Sequence, residues 1–480
     1  MNEKYECMNS LQKIALCLLS AAIGCEGRAN DVPEPQPFLP VPTQAQLNWH
    51  KAEYIMFAHF GMKTFYPGGG HMGNGKEDPK RFDPAKFDAR QWVAAAKAGG
   101  FKGIVLTAKH HDGFCNWQTE TTDHCVKSAT WNEGKGDVVR DLIRACRQGG
   151  LYFGVYVSII DKRHEQAGSA KHATYGEYYY DQIKELSTKY GPLDEYWFDG
   201  FNATKLKLDY QQFAELIRTA QPKAVVYDSG TMVKYIPDRC LNWPGNHGGV
   251  GPDQNYCRSI DGVMRWYPSE PSIILQGNWF HNGQPAVSLQ RMQDYYLTSV
   301  GYGVTPLMNV APNADGLIDE ATVEQLKEFK AWVDQLHKND LARSGKVKVS
   351  ADSVRGNAAK YAPEKLIDGD YETYYATDDV VKDAVIEIDL GRVHKVNGFI
   401  IQEYIPLGQR VDGYSIECRL DGKWVTVFSG KKIGYKRIIL EGRASASKLR
   451  FPETDHVRLK IEKALACPLI STFQVIGTGA

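Results

Sequence analysis

FKGIVLTAKHHDGFCNW (101–117) opens as a near-continuous apolar run and turns polar at Lys109, where it enters a short loop around Gly113. A near-continuous apolar run suits a parallel strand covered on both faces, since a half-exposed strand would alternate with period two. The same layout recurs in EYIMFAHF (53–60), LYFGVYVS (151–158), DEYWFD (194–199), KAVVYDS (223–229) and GVTPLMNV (303–310). Amphipathic segments lie between them: DARQWVAAAKAG (88–99), DVVRDLIRACRQGG (137–150) and GEYYYDQIKELSTKYG (176–191). Each closes on Gly, a common helix stop. Strand followed by helix, repeated along the chain with no glycine-rich nucleotide loop after the first strand, predicts an α/β fold of the (β/α)8-like TIM-barrel type rather than a doubly wound sheet. Two strands have no clear segment, so the expected barrel is incomplete or distorted.

In this architecture the active site borders the C-terminal ends of the strands. Those ends carry His59, then Lys109, His110, His111 and Asp112, then Tyr156 and Ser158, Asp199, Asp228 and Asn309. Asp199 stands before Gly200 in EYWFDGF with Trp197 two residues earlier, on the same face of the strand. It reads as a catalytic carboxylate, with a helix cap or loop anchor as the plain alternative. Glu270, in RWYPSEPSI, is bracketed by Pro268 and Pro271, which hold an extended, stiff segment. A surface glutamate is the plain alternative there. A glycosidase needs two carboxyl groups held in different protonation states, and Asp199 with Glu270 is the candidate pair. Adjacent His110 and His111 point to opposite faces of a strand and lack HExxH spacing, so no metal site is read. Imidazoles that bind sugar hydroxyls, with Trp117 as a stacking face, are the functional reading; a structural pair at the barrel rim is the other. YPGGGHMGNGKEDP (66–79) lacks the GK[ST] of a phosphate loop and reads as a loop over the barrel mouth.

The whole chain, 480 residues, suits two folded units. Its 57 Lys plus Arg cancel its 57 Asp plus Glu, which leaves no summed field for nucleic acid or an anionic membrane. With 10 Trp and 26 Tyr, not every ring can be buried, which points to stacking surfaces for a flat ligand such as a sugar. After TVEQLKEFKAWVDQLHKN (322–339) come alternating strands, among them DAVIEIDLG (383–391), VNGFIIQEYI (396–405), GYSIECRL (413–420), KWVTVFSG (423–430) and HVRLKIEK (456–463). They predict an all-β sandwich. At the other end, IALCLLSAAI (14–23) follows Lys13 in the layout of a secretory signal, too short to span a bilayer. Ala22-Ile23-Gly24-Cys25 is similar to a bacterial lipobox. The expected division is a leader over 1–25, a Pro-rich spacer over 26–44, a barrel over 45–340 and a sandwich over 346–480. Export to the periplasm or cell surface is expected, with Cys25 as a lipid anchor and the sole link to a membrane. The seven cysteines beyond the leader are scattered, without Cys-x-x-Cys. They read mostly as small core residues, with one or two bridges left open.

Several motifs together resemble a known family. HFGMKTF (59–65), GNGKEDPKRFDPAKFDARQW (73–92), TAKHHDGFCNW (107–117), NEGKGDVVRDLIRAC (132–146), KYGPLDEYWFDG (189–200) and WYPSE (266–270) are similar, in order, to the family 29 glycoside hydrolases, the α-L-fucosidases. They look closest to the bacterial branch selective for branched α-1,3 and α-1,4 linkages. The resemblance implies a retaining exo-glycosidase acting on oligo- or polysaccharide, without a catalytic cofactor. It makes Asp199 the nucleophile and Glu270 the acid/base, about 5 to 5.5 Å apart. His59, His110, His111, Trp117, Tyr156 and Trp197 would line the sugar subsite, with Trp266 near the mouth. LIDGDYETYYATDD (366–379) resembles the early motif of discoidin-like, F5/8 type C, carbohydrate-binding domains, which often hold a structural calcium ion.

Two departures qualify the resemblance. His71-Met72 stands where this branch usually has Glu-Trp, and Ser158 to Arg163 reads SIIDKR in place of SPWDR. Loss of a carboxylate removes a strong acceptor for sugar hydroxyls, so His71 marks altered recognition. Three activities follow: release of a terminal α-L-fucose or related sugar; an α-L-galactosidase on sulfated algal galactan, with Lys162 and Arg163 meeting the sulfate; or a catalytically weak glycan-binding protein.

Overall fold

The apolar runs become the strands of one parallel sheet in the computed structural model, which describes residues 32–68, 70–200, 208–228 and 230–477. The order is α1 (Gln44–Ala52), β1 (Ile55–Ala58), α2 (Met62–Phe65), α3 (Ala89–Ala98), β2 (Gly103–Lys109), α4 (Val138–Gly149), β3 (Tyr152–Ser158), α5 (Lys162–Ala167), α6 (Tyr175–Lys189), β4 (Glu195–Asp199), α7 (Tyr210–Ala220) and β5 (Val225–Asp228). Then come β6 (Cys240–Asn242), a hairpin of β7 (Cys257–Ile260) and β8 (Val263–Trp266), β9 (Ser272–Ile274), α8 (Leu289–Leu297), β10 (Leu307–Asn309) and α9 (Glu320–Lys338). The two strands without a sequence signal are β6 and β9, each three residues long and too short for any periodicity to register. Local chemistry sets the helix ends. Asp137 caps α4 by accepting from the Arg140 amide, and Gly150 ends it with a left-handed φ of 69°. Thr174 and Glu177 form a capping box on α6.

Eight strands lie in the order β6-β5-β4-β3-β2-β1-β10-β9. The sheet curls until its edges meet at one parallel bridge, Asn242 with Ser269. There the Asn242 amide donates to the Pro268 carbonyl (2.8 Å) and the Glu270 amide to the Asn242 carbonyl (2.9 Å). The expected barrel is thus corrected to a curled parallel sheet without a closing ladder, because the strands at its edges are short and the β7–β8 hairpin is inserted between them. Side chains alternate across it. In β4, Tyr196 and Phe198 join the core under the helices, with Trp92, Leu142, Ile183 and Ile217, while Trp197 belongs to a separate interior cluster with Trp49, Phe57, Val105, Tyr156 and Tyr227.

The second layer system is antiparallel: β11 (Lys348–Ala351), β12 (Tyr375–Ala376), β13 (Ala384–Glu403), β14 (Val411–Leu420), β15 (Lys423–Gly430), β16 (Arg437–Leu440), β17 (Glu453–Ala464) and β18 (Leu469–Gly477). The 20-residue β13 shifts register between Asp389 and His394. Its first half pairs with β11 and β17 and its second with β16 and β18, so one bent strand serves both faces of the sandwich. Ile386, Ile388, Phe399, Ile416, Leu459 and Phe473 fill the space between. No group of three or more His, Cys, Asp or Glu among the described residues could hold a metal ion. In the loop that resembles the discoidin motif, the Asp368 carboxylate accepts from Thr373 Oγ1 (2.6 Å) and lies 3.7 Å from Lys365 Nζ. All seven described cysteines are free, and six are buried, as small core residues would be.

The leader and Cys25 lie outside the described residues. The end of the Pro-rich segment is described, and it departs from a free spacer. The Phe38 amide donates to the Leu407 carbonyl (2.9 Å), and Arg410 donates to the Gln36 carbonyl (2.6 Å), so this stretch is bound along the sandwich. Barrel and sandwich share a core: Ile400, Ile438 and Ile476 pack into the barrel's helical core with Val300 and Leu336. A Cβ on Gly301 would stand 3.2 Å from that of Ile438. Tyr256 Oη donates to the Gly303 carbonyl and accepts from the Tyr435 amide (3.0 Å), and Arg443 pairs with Asp294 (2.8 Å). We expect Ile438→Ala to lower stability by about 2 to 4 kcal/mol and to shift one common unfolding transition. Calorimetry that resolves two independent transitions would contradict the shared core.

Candidate active site

A cleft of about 250 Å³ opens at the C-terminal ends of the strands. Phe57 and His59 reach it from β1, His71 from the following loop, His110 and His111 from the end of β2, Tyr156 and Ile160 from β3 and its loop. Trp197, Asp199 and Gly200 come from β4, Tyr227 from β5, Trp243 and His247 from the loop after β6, and Trp279 from the loop after β9. Register explains the floor. Tyr156, Trp197 and Tyr227 are paired positions on three adjacent parallel strands, so their rings fall in one row. Trp197 stacks on Tyr227 at 3.8 Å with a 6° tilt and on Tyr156 at 5.3 Å and 24°.

Asp199 is the one carboxylate that lines this cleft among the described residues, and its side chain keeps 36% of its surface exposed. Its Oδ2 accepts from Tyr156 Oη at 2.7 Å and lies 3.4 Å from His111 Nε2. On its other side, His111 Nδ1 meets Ser158 Oγ at 2.6 Å. Burial pulls the His111 pKa to about 4 against the opposing field of Asp199, so near neutrality this imidazole is uncharged. His59 is held likewise. Asn309 Nδ2 donates to the Trp279 carbonyl (2.7 Å), which turns Oδ1 toward His59 Nδ1 (2.7 Å), makes that nitrogen the protonated one and leaves Nε2 an acceptor. Burial lowers the His59 pKa to about 3 and that of His110 well below the usual value. Partial desolvation also lowers the pKa of half-buried His71 and of the more exposed His247, and Asp199 opposes that shift in both. His247 Nδ1 meets Ser272 Oγ at 2.9 Å, and its ring lies edge-on to Trp279.

The structure brings His59, His71, His110, His111, Tyr156, Trp197 and Asp199 together, and it leaves Glu270, Trp117 and Trp266 out. Glu270 is fully buried; Oε1 accepts from Trp49 Nε1 (2.6 Å) and Oε2 from Trp197 Nε1 (3.0 Å). The prolines do keep its segment extended. Pairing with the end of β6, however, turns its carboxyl into the barrel interior, where it stands behind the Trp197 ring and beside Glu195. The expected close approach of two carboxyl groups across a substrate is therefore not the geometry seen. Trp117 is buried and donates to Glu185 (3.0 Å), while Trp266 packs on Tyr256 and contacts His50. Among the other strand-end residues, Lys109 forms a buried ion pair with Asp161 (3.1 Å) and Asp228 caps the Met232 amide. Phe57, Ile160, Tyr227, Trp243, His247 and Trp279 escaped the sequence reading. Period-two counting from His59 and from the partner of Trp197 reaches Phe57 and Tyr227, but Trp243, His247 and Trp279 follow three-residue strands that left no trace.

Comparison with known proteins assigns the family. A family model described as alpha-L-fucosidase matches residues 40–338, and an F5/8 type C domain matches residues 347–467. Alpha-L-fucosidase 1 of Arabidopsis thaliana is 35% identical over 92% of this chain and 88% of its own length. A Ruminococcus gnavus fucosidase solved with fucose superposes with a TM-score of 0.83 at 27% identity, over 94% of this chain and 98% of its own. Plasma alpha-L-fucosidase of Rattus norvegicus is 26% identical over 59% of this chain and 62% of its own length. The chain belongs to the alpha-L-fucosidase family and is a glycoside hydrolase, with an F5/8 type C domain after its catalytic part.

Proposed function

We propose that the chain is a retaining exo-α-L-glycosidase of the fucosidase type in which Asp199 is the nucleophile and His247, in place of Glu270, carries the proton. One observation supports this above the rest: among the described residues Asp199 is the single carboxylate lining the cleft, ringed by imidazoles, while Glu270 is walled off behind Trp197. Tyr156 and His111 both address Oδ2 of Asp199, which leaves Oδ1 for attack. Oδ1 bonds to the anomeric carbon as the glycosidic C–O bond breaks, and the leaving oxygen takes the proton of His247 Nε2. Ser272 Oγ holds Nδ1 and so sets which nitrogen does this. Neutral His247 then deprotonates a water that displaces Asp199 from the anomeric carbon, which releases the sugar with its configuration retained. Trp279 and Phe57 offer apolar surface to the ring carbons, and His59, His71 and His110 hydrogen bonds to the hydroxyls. The fucose held by the Ruminococcus gnavus relative makes α-L-fucose the first substrate to try.

A terminal α-L-galactose, plain or 6-sulfated, is the second reading. It is favoured by His71 at the altered loop and by a cleft whose described residues include no carboxylate except the nucleophile, so an anionic substituent would meet imidazole donors. Lys162 is paired with Glu165 (3.0 Å), and neither it nor Arg163 lines the cleft, so this reading rests on the histidines. We also infer export and attachment through Cys25 from the leader at 14–25, and glycan binding by the F5/8 type C domain.

Asp199→Asn is expected to cut kcat/KM by at least about 1,000-fold on aryl α-L-fucoside or α-L-galactoside, whichever the wild type prefers; undiminished turnover would remove Asp199 from the mechanism. His247→Ala should lose about 100- to 10,000-fold on poor leaving groups and far less on activated ones. Equal losses on both would reject its role. The donor is the imidazolium, and burial lowers its pKa from 6.5, so the alkaline limb of kcat/KM should fall below pH 6.5 and vanish in His247→Ala.

A further inference from the structure

Glu270 keeps a position too well furnished to be idle. Two indole N–H groups from different elements meet its two oxygens, Trp49 on Oε1 and Trp197 on Oε2, inside a region without solvent. Glu195 stands beside it, equally buried, with Oε2 at 3.0 Å from Tyr152 Oη and Oε1 without any donor except the neighbouring carboxyl. Two buried carboxyl groups in contact do not both ionise, and one proton between them satisfies the orphaned oxygen. Burial raises both above the ordinary carboxyl range. Above this pair, the Trp197 ring is stacked between Tyr227 and Tyr156, and Tyr156 Oη donates to Asp199. A continuous chain of contacts therefore runs from Glu270 through Trp197 and Tyr156 to the nucleophile.

We infer that Glu270, sharing a proton with Glu195, is a positioning residue that orients the Trp197 floor and through it the nucleophile Asp199. The inference rests on the reading of Asp199 as nucleophile. A carboxyl is required at 270 because both its oxygens accept; an amide would set its NH2 against one indole N–H and unseat that ring. Floor displacement acts on the geometry of attack and not on proton transfer to the leaving oxygen.

The test uses the full chain carrying Glu270→Gln, Trp197→Phe, which keeps a ring but removes the donor, and both together. Turnover is measured on an activated and a poor aryl leaving group, with and without azide. Glu270→Gln is expected to lose about 10- to 100-fold in kcat, equally on both leaving groups and without azide rescue. Trp197→Phe should lose a similar factor, and the double variant no more than the worse single one. Loss confined to the poor leaving group, restored by azide, would make Glu270 the acid/base and overturn the inference. Multiplying losses in the double variant would overturn it too. If Glu270→Gln lacks the native circular dichroism, Trp197→Phe decides: full kcat there refutes the link to Asp199, and a uniform loss supports it. A wrong nucleophile shows itself separately, as turnover retained in Asp199→Asn.

Discussion

The Trp197 indole is the joint on which the site depends. It is held face to face by Tyr227 and Tyr156 and edge-on by the Glu270 carboxyl, so stacking and a hydrogen bond leave the ring one orientation. Neither contact would suffice alone: stacking tolerates sliding, and a single N–H bond tolerates rotation. Curling the parallel sheet makes both available at once. It brings side chains from β3, β4 and β5 into one interior row and closes the loop after the hairpin against β6, so that Glu270 reaches under the floor. Asp199, two residues along the same strand face, inherits its place from that floor.

The electrostatics of the cleft follow from how few anions it contains. Among the described residues one carboxylate faces a ring of histidines whose burial favours the neutral form, so these side chains supply directional hydrogen bonds and little net charge. That suits recognition of sugar hydroxyls. It also separates the titrating groups by depth: His59 and His111 are held by Asn309 and Ser158 and, with His110, are buried, whereas His71 and His247 keep contact with solvent. Contact with solvent is what the proton transfer proposed for His247 requires.

Behind the cleft, the sandwich belongs to the same core as the barrel. Ile400, Ile438 and Ile476 sit among the barrel's helices, and Tyr256, which follows the cleft loop carrying His247, is hydrogen-bonded both to Gly303 and to Tyr435 of the sandwich side. The polypeptide between β6 and β9 is thus braced from outside the barrel. A loop this long would otherwise order itself at considerable entropic cost.

By itself, the sequence determined the strand–helix alternation from β1 to β5 and the strand β10, the presence of a β-rich second unit, and the cluster His59, His110, His111, Tyr156, Trp197 and Asp199, because each lies at the end of a strand with an apolar run to mark it. It also carried motifs specific enough to name the family. Only the tertiary structure decided which aromatic residues reach the cleft and which carboxyl groups do. Trp117 and Trp266 stand in sequence beside site residues yet turn into packed interiors, and Glu270, on a segment correctly read as extended, points behind Trp197. Trp243, His247 and Trp279 come from loops after three-residue strands. The reason is geometric: alternation along a strand is written in spacing, but the direction of a side chain outside a long strand depends on partners hundreds of residues away. The Trp49 indole on Glu270, 221 residues away in sequence, is a contact of that kind, and together with the sheet closure at Asn242 and Ser269 it places Glu270 under the floor.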